Sequence, residues 1–171
     1  SRGLGDVYKR QPTTLTVTFA GDCTLGTDVN FSSDTSFNTK YEAVDDPSYF
    51  LANVADIFKN DDLTVVNMEG TLTTSSTRQD KTFAFKGPAD YAQILVKGNV
   101  ETASLANNHS RDYGEQSYTD TISALENAGI GTFGYDRIDY REVNGNVPQL
   151  NLRFIGDRFL FGAPMEIDGN K

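Results

Sequence analysis

Four short apolar runs, rich in β-branched and aromatic residues, alternate along this chain with stretches of helical periodicity. That alternation limits the fold more than any other feature. The runs are Leu15 to Ala20, Leu63 to Asn67, Val100 to Ala106 and Ile130 to Phe133, each with the composition and length of a buried strand. Between the first two, Asp46 and Pro47 read as the N-cap and first turn of a helix. Phe50, Leu51, Val54, Ile57 and Phe58 then fall on one of its faces. Pro88 opens a second helix with Tyr91, Ala92, Leu95 and Val96 inward and Gly98 at its end. A third spans 115–128, with Tyr118, Ile122 and Leu125 along one side and Gly129 as the stop. Phe83 to Lys86 reads as an extra short strand, and 27–46 and 71–82 as polar loops. A βαβαβαβ order predicts an α/β domain with a mainly parallel sheet and right-handed crossovers.

The regular pattern runs over 12–145, one domain's worth of chain. Residues 1–11 are basic, lack any period and are read as a non-native or disordered leader. The segment 146–171 departs from the pattern; its apolar stretch Phe154 to Phe161, interrupted at Gly156-Asp157-Arg158, predicts a hairpin. With 37% hydrophobic and 23% charged residues, the composition excludes global disorder and a membrane bundle. No run approaches the ~18 apolar residues of a membrane span, and no secretory h-region is present in the sequence. A net charge of −9 without a basic cluster argues against nucleic-acid binding. The single cysteine, Cys23, excludes an internal disulfide and a thiolate metal cage.

In open α/β sheets, ligands bind beyond the carboxyl ends of the strands. There the first run delivers Gly21 and Asp22, the second Asn67, Glu69 and Gly70, and the third Asn107, Asn108, His109 and Asp112. Hard oxygen donors beside one imidazole suit Mn, Mg, Fe or Zn. Each residue also has an ordinary reading. Asp22 is a turn or capping residue, Glu69 a solvated loop charge, and Asn107-Asn108 a turn pair. Lys86, which follows two alternating phenylalanines, is either a contact for an anionic group or a solvated lysine.

The motifs GDCTLG (21–26), VNMEGTLT (66–73), FAFKGP (83–88) and ANNHSRDYG (106–114) occur in an order that resembles the bacterial capsule-synthesis (CapA, poly-γ-glutamate) family. Asp120-Thr121, Leu125, Ala128-Gly129-Ile130 and Phe133-Gly134 continue the likeness, which covers about 14–145. That family is similar to the calcineurin-like metallophosphoesterases. The resemblance therefore implies the N-terminal part of an α/β/β/α sandwich with a two-metal site. By that likeness Asp22, Glu69 and Asn108 are metal ligands, and His109 is a general acid oriented by Asp112. Asn67, Asn107 and Lys86 fall to substrate binding.

Two departures stand out. Thr24 occupies the place of a metallophosphoesterase histidine, and no histidine follows His109, although the family continues with histidine-containing motifs. The expectation is a phosphoesterase-like site in a longer parent, inactive in this chain alone, and an apolar sheet face left open unless the tail covers it. The resemblance further implies an extracytoplasmic, membrane-associated parent acting with membrane synthase subunits and an anionic polymer. The alternative is a non-catalytic subunit that binds polymer or synthase.

Overall fold

The computed structural model describes residues 14–135, 137–141, 150–155 and 158–162. The expected leader 1–11 and the boundary near 145 lie outside the described residues. Strand β1 spans Val17–Cys23. Two helices follow, α1 at Phe37–Val44 and α2 at Ala55–Lys59. Next come β2 (Leu63–Met68), β3 (Thr71–Leu72) and β4 (Lys86–Gly87), then α3 (Ala92–Lys97) and β5 (Thr102–Ser104). Helix α4 (Gly114–Asn127) leads into β6 (Gly131–Phe133), and β7 (Asp139–Arg141), β8 (Leu150–Ile155) and β9 (Arg158–Gly162) complete the described elements.

The main sheet has the order β1-β2-β5-β6, and every pairing is parallel. The fold is therefore mixed α/β around a parallel sheet, as the alternation predicts. β3 and β4 form a separate parallel pair, and β7, β8 and β9 an antiparallel sheet of three.

One face of the main sheet meets the helices. Val66, Met68, Ala103 and Leu105 join Ile94 and Leu95 of α3 and Tyr118 and Leu125 of α4 in one buried core. Each fully buried aliphatic side chain contributes roughly 1.5–3 kcal/mol there. The opposite face carries a second cluster of Leu63, Val65 and Phe133, with Val17 against it. These three are buried, and Phe19 is 48% exposed at the rim of a cavity of about 260 Å³ that Val65 and Phe133 also line.

Strand β1 does not keep step with β2. Phe19 pairs with Val65 but Asp22 pairs with Asn67, so three steps along β1 match two along β2. Such a bulge reverses which sheet face the following residues address. Ala20 and Cys23 both pack on the helix-side core, while Asp22 joins Asn67.

Three local expectations need correction. β1 runs on through Asp22, which is a strand residue and not a following turn. The stretch read as a loop at 27–46 contains α1, whose apolar signal is the short series Phe37, Tyr41 and Val44. The Phe37 and Tyr41 rings pack against Phe50 and Tyr91 at centroid distances of 4.3–5.6 Å, and tertiary packing stabilises what the local pattern does not. Asp45, in the left-handed region at φ 50°, ends it. The helix expected from Asp46 is split: Asp46 caps a 3-10 turn at Pro47–Tyr49, accepting from the Ser48 amide, and α2 begins only at Ala55.

Candidate functional site

Parallel pairing brings the carboxyl ends of β1, β2 and β5 to one edge. At that edge the Asn67 amide donates to Asp22 Oδ1 at 2.7 Å. Asn107 Nδ2 donates to Asn67 Oδ1 at 3.0 Å and to the Met68 carbonyl at 2.9 Å. Asn107 Oδ1 in turn accepts from the His109 backbone amide at 2.9 Å. Asn67 and Asn107 thus fix the spacing between the strand ends, and the left-handed turn suggested for Asn107-Asn108 is not used: neither residue has positive φ.

Asp22 and Glu69 lie close enough to share a hydrogen bond whenever one of the two carboxyl groups is protonated. Hydrogen bonds from Asn67 and then Glu69 hold the Asp22 carboxyl below its ordinary range. Burial first, and then the adjoining Asp22, push Glu69 up. When the pair holds a single proton, that proton sits on Glu69. Burial, with Asp22 adding to it, also pushes the neighbouring Cys23 thiol up to about 11, so this half-buried sulfur is no thiolate ligand.

His109 is buried between two acids. Its Nε2 lies 3.5 Å from Glu69 Oε1 and its Nδ1 2.8 Å from Asp112 Oδ2. Asp112 is wholly buried and fully engaged. Oδ2 also accepts from the Phe85 amide at 2.6 Å, and Oδ1 accepts from Lys81 Nζ at 2.6 Å. The Phe85 ring lies against the imidazole at 4.8 Å.

Of the residues singled out in the sequence, Asp22, Asn67, Glu69, Asn107, His109 and Asp112 form one connected network. Asn108 sits beside it with an exposed side chain, and its carbonyl accepts from Lys81 at 2.8 Å. Lys86 joins none of these contacts. Its ammonium donates to the Ser75 carbonyl at 2.8 Å and lies 4.6 Å over the Tyr113 ring, so it anchors the 71–82 loop. Among the described residues, no group of three or more His, Cys, Asp or Glu side chains is arranged to hold a metal ion.

Sequence reasoning missed Lys81, Ser110 and Tyr135. The Tyr135 hydroxyl and Ser110 Oγ both donate to the Asn107 carbonyl, at 2.8 and 2.9 Å. The one signal for Lys81 was chemical: a buried Asp112 calls for a counter-charge, but nothing in the spacing says which lysine supplies it.

Similarity to known proteins agrees with the motifs. A capsule biosynthesis protein, CapA, of Bacillus anthracis is 26% identical over 174 residues, covering 95% of this chain and 40% of that protein. A probable polyglutamine synthesis accessory protein, present in two strains of Mycobacterium tuberculosis, is 35% identical over 74 residues, 43% of this chain and 20% of its own length. The chain thus spans less than half of the length of these relatives. Residues 16–146, which contain all four motifs and the entire network around His109, match the family described as bacterial capsule synthesis protein PGA_cap, and the chain belongs to that family.

Proposed function

We propose that this chain supplies part of a cation-dependent site, acting on a phosphoester or related anion, in a bacterial protein that serves capsule or poly-γ-glutamate synthesis. The observation that carries the reading is His109, fixed at Nδ1 by Asp112 and facing the Asp22–Glu69 pair through Nε2. The names of the relatives support the polymer context.

The donor set fits a divalent cation such as Mn, Zn, Fe or Mg, since two adjoining carboxyl groups offer hard oxygens when both are ionised. Asp22 and Glu69 are the ligands in this reading, with Asn108 next to them. A cation bound there supplies Lewis-acid polarisation of a substrate oxygen and acidifies a bound water. Asp112 keeps the imidazole from rotating. His109 then presents Nε2 on the side where a leaving oxygen would sit, and acts as the acid there once that nitrogen has taken up a proton from the reacting water. Asn67 and Asn107 hold the strand ends at fixed separation and present amides beside the carboxylates.

In the same reading the parallel sheet and its helices are the first half of a metallophosphoesterase-like α/β/β/α sandwich. The parent works outside the cytoplasm, at the membrane, with synthase subunits and an anionic polymer. This chain alone turns over phosphoesters poorly, because two carboxylates leave a cation mostly hydrated. The test is phosphatase activity of a full-length relative with Mn or Zn. Unchanged rates in its equivalents of Asp22→Ala and His109→Ala would sink the catalytic assignment.

A second reading has its own support in the absence, among the described residues, of a three-donor group and in the word accessory in two relatives' names. Here the domain binds polymer or a synthase subunit and catalyses nothing. Co-purification of synthase subunits with a parent whose Asp22 and His109 equivalents are both replaced favours it; loss of that association argues against it.

A further inference from the structure

Lys81 lies in the polar loop between β3 and β4, yet its ammonium turns inward, with the side chain only 28% exposed. It meets two acceptors of the site and lies beside the imidazole. Nζ is 2.6 Å from Asp112 Oδ1, 2.8 Å from the Asn108 carbonyl and 3.4 Å from His109 Nδ1. The loop is itself anchored so that Lys81 cannot swing away easily: the Gln79 amide donates to the Asp112 carbonyl at 2.8 Å, and Ser75 Oγ donates to the Tyr113 carbonyl at 3.1 Å.

We infer that Lys81 is a positioning residue: by holding Oδ1 of Asp112 it keeps Oδ2 aimed at His109, so that the imidazole carries its proton on Nδ1 and turns the Nε2 lone pair toward Asp22 and Glu69. The inference rests on the proposed reading of His109 as the working imidazole, and it adds the device that sets that ring's tautomer.

The argument is one of satisfied valences. Asp112 is fully buried, and a carboxylate there needs partners on both oxygens. Oδ2 has the Phe85 amide and the imidazole; Oδ1 has Lys81. Lys81 can only donate, so the acceptor sites it occupies on Asp112 and Asn108 are closed to the ring. Nδ1–H then has one strong acceptor in reach, Oδ2 at 2.8 Å, and the ring's other nitrogen is left as the acceptor. Without Lys81, Oδ1 loses its partner inside the protein. Asp112 must then turn, or take up a proton, and in either case the tautomer is no longer held.

His109 is the single histidine of the chain, so its ring can be read without assignment ambiguity. The experiment is nitrogen-15 NMR of the imidazole at one fixed pH, on the metal-free 171-residue chain, on Lys81→Met and on Lys81→Arg. The expected wild-type spectrum has one pyrrole-like resonance from Nδ1 and one pyridine-like resonance from Nε2. In Lys81→Met the separation between the two should collapse toward an average, and Lys81→Arg should restore it, because a guanidinium still reaches Oδ1.

A wild-type ring protonated on Nε2 overturns the inference, even if Lys81→Met fails to fold. So does an unchanged Lys81→Met spectrum in a folded variant, or an equal disturbance by Met and Arg. Failure of the phosphoesterase reading would show as inactivity of a full-length relative and would leave the ring resonances as described, so the two failures are separable.

Discussion

Nη2 of Arg78 lies 2.7 Å from Oδ2 of Asp28, a residue fifty positions earlier, and Nε of the same guanidinium reaches Oδ1 at 3.3 Å. The backbone amides of Asn30 and Ala84 donate to the same carboxylate at 2.9 and 2.7 Å. This buried carboxylate therefore ties the loop after β1 to the loop that carries Lys81.

Acid should loosen that tie. Burial alone raises the Asp28 pKa, but Arg78 and the two amides outweigh it and hold the group at about 2. The folded value lies below the unfolded one of about 3.9. The contribution is thus complete above about pH 4 and lost as pH falls toward about 2. The unfolding free energy from urea titrations should fall across that window by on the order of 1–2 kcal/mol. Asp28→Asn should flatten this slope and cost roughly 2–4 kcal/mol near neutral pH by stranding Arg78. An Asn variant that keeps the wild-type acid slope would contradict the assignment.

A cation entering between Asp22 and Glu69 competes with a proton on Glu69. Because the Glu69 carboxyl is raised and Asp22 lowered, manganese affinity should climb as pH rises through the Glu69 transition. Calorimetry at one pH below and one pH above that transition, in two buffers of different ionisation heat, should detect proton release at the lower pH and much less at the higher. Glu69→Gln should weaken binding on the order of tenfold or more and remove the pH dependence. Equal affinity at both pH values in the native chain would refute the exchange.

Two glycines should respond unequally to alanine. Gly134, just after β6, has φ +122°, and a Cβ there would stand 2.7 Å from the Ala106 amide nitrogen. Gly129, after α4, has φ +86° with open space around a Cβ. Gly134→Ala should therefore cost about 2–3 kcal/mol, through strain and displacement of the segment leading to Asn107. Gly129→Ala should cost only about 1 kcal/mol. Denaturant midpoints of the two variants give the comparison, and equal losses would show that the close approach at Ala106 is of no consequence.

What the sequence discloses follows from which interactions are local. Val65, Val66 and Met68 form part of a continuous buried run, so β2 is visible without a partner. Once the strands are parallel, their ends share an edge, and Asp22, Glu69 and His109 gather there as a matter of topology. Helix α1 is hidden because Phe37 and Tyr41 gain their stability from rings outside the helix, Phe50 and, fifty positions beyond Tyr41, Tyr91. Lys81 and Lys86 look alike in sequence, each a lysine in or beside a polar loop. One ends on Asp112, 31 positions on, and the other on Ser75, a distinction set entirely by tertiary contacts.

The mismatch between β1 and β2 decides more than local shape. Strand side chains alternate, so an even ladder would send Asp22 the way of Ala20, into the apolar space beneath α3 and α4. One surplus residue sends it instead to Asn67. The acidic group at this edge is, in effect, an outcome of counting: the five residues from Phe19 to Cys23 are set against the four from Val65 to Met68, and that one-residue difference puts a carboxylate where an apolar neighbour would otherwise be required.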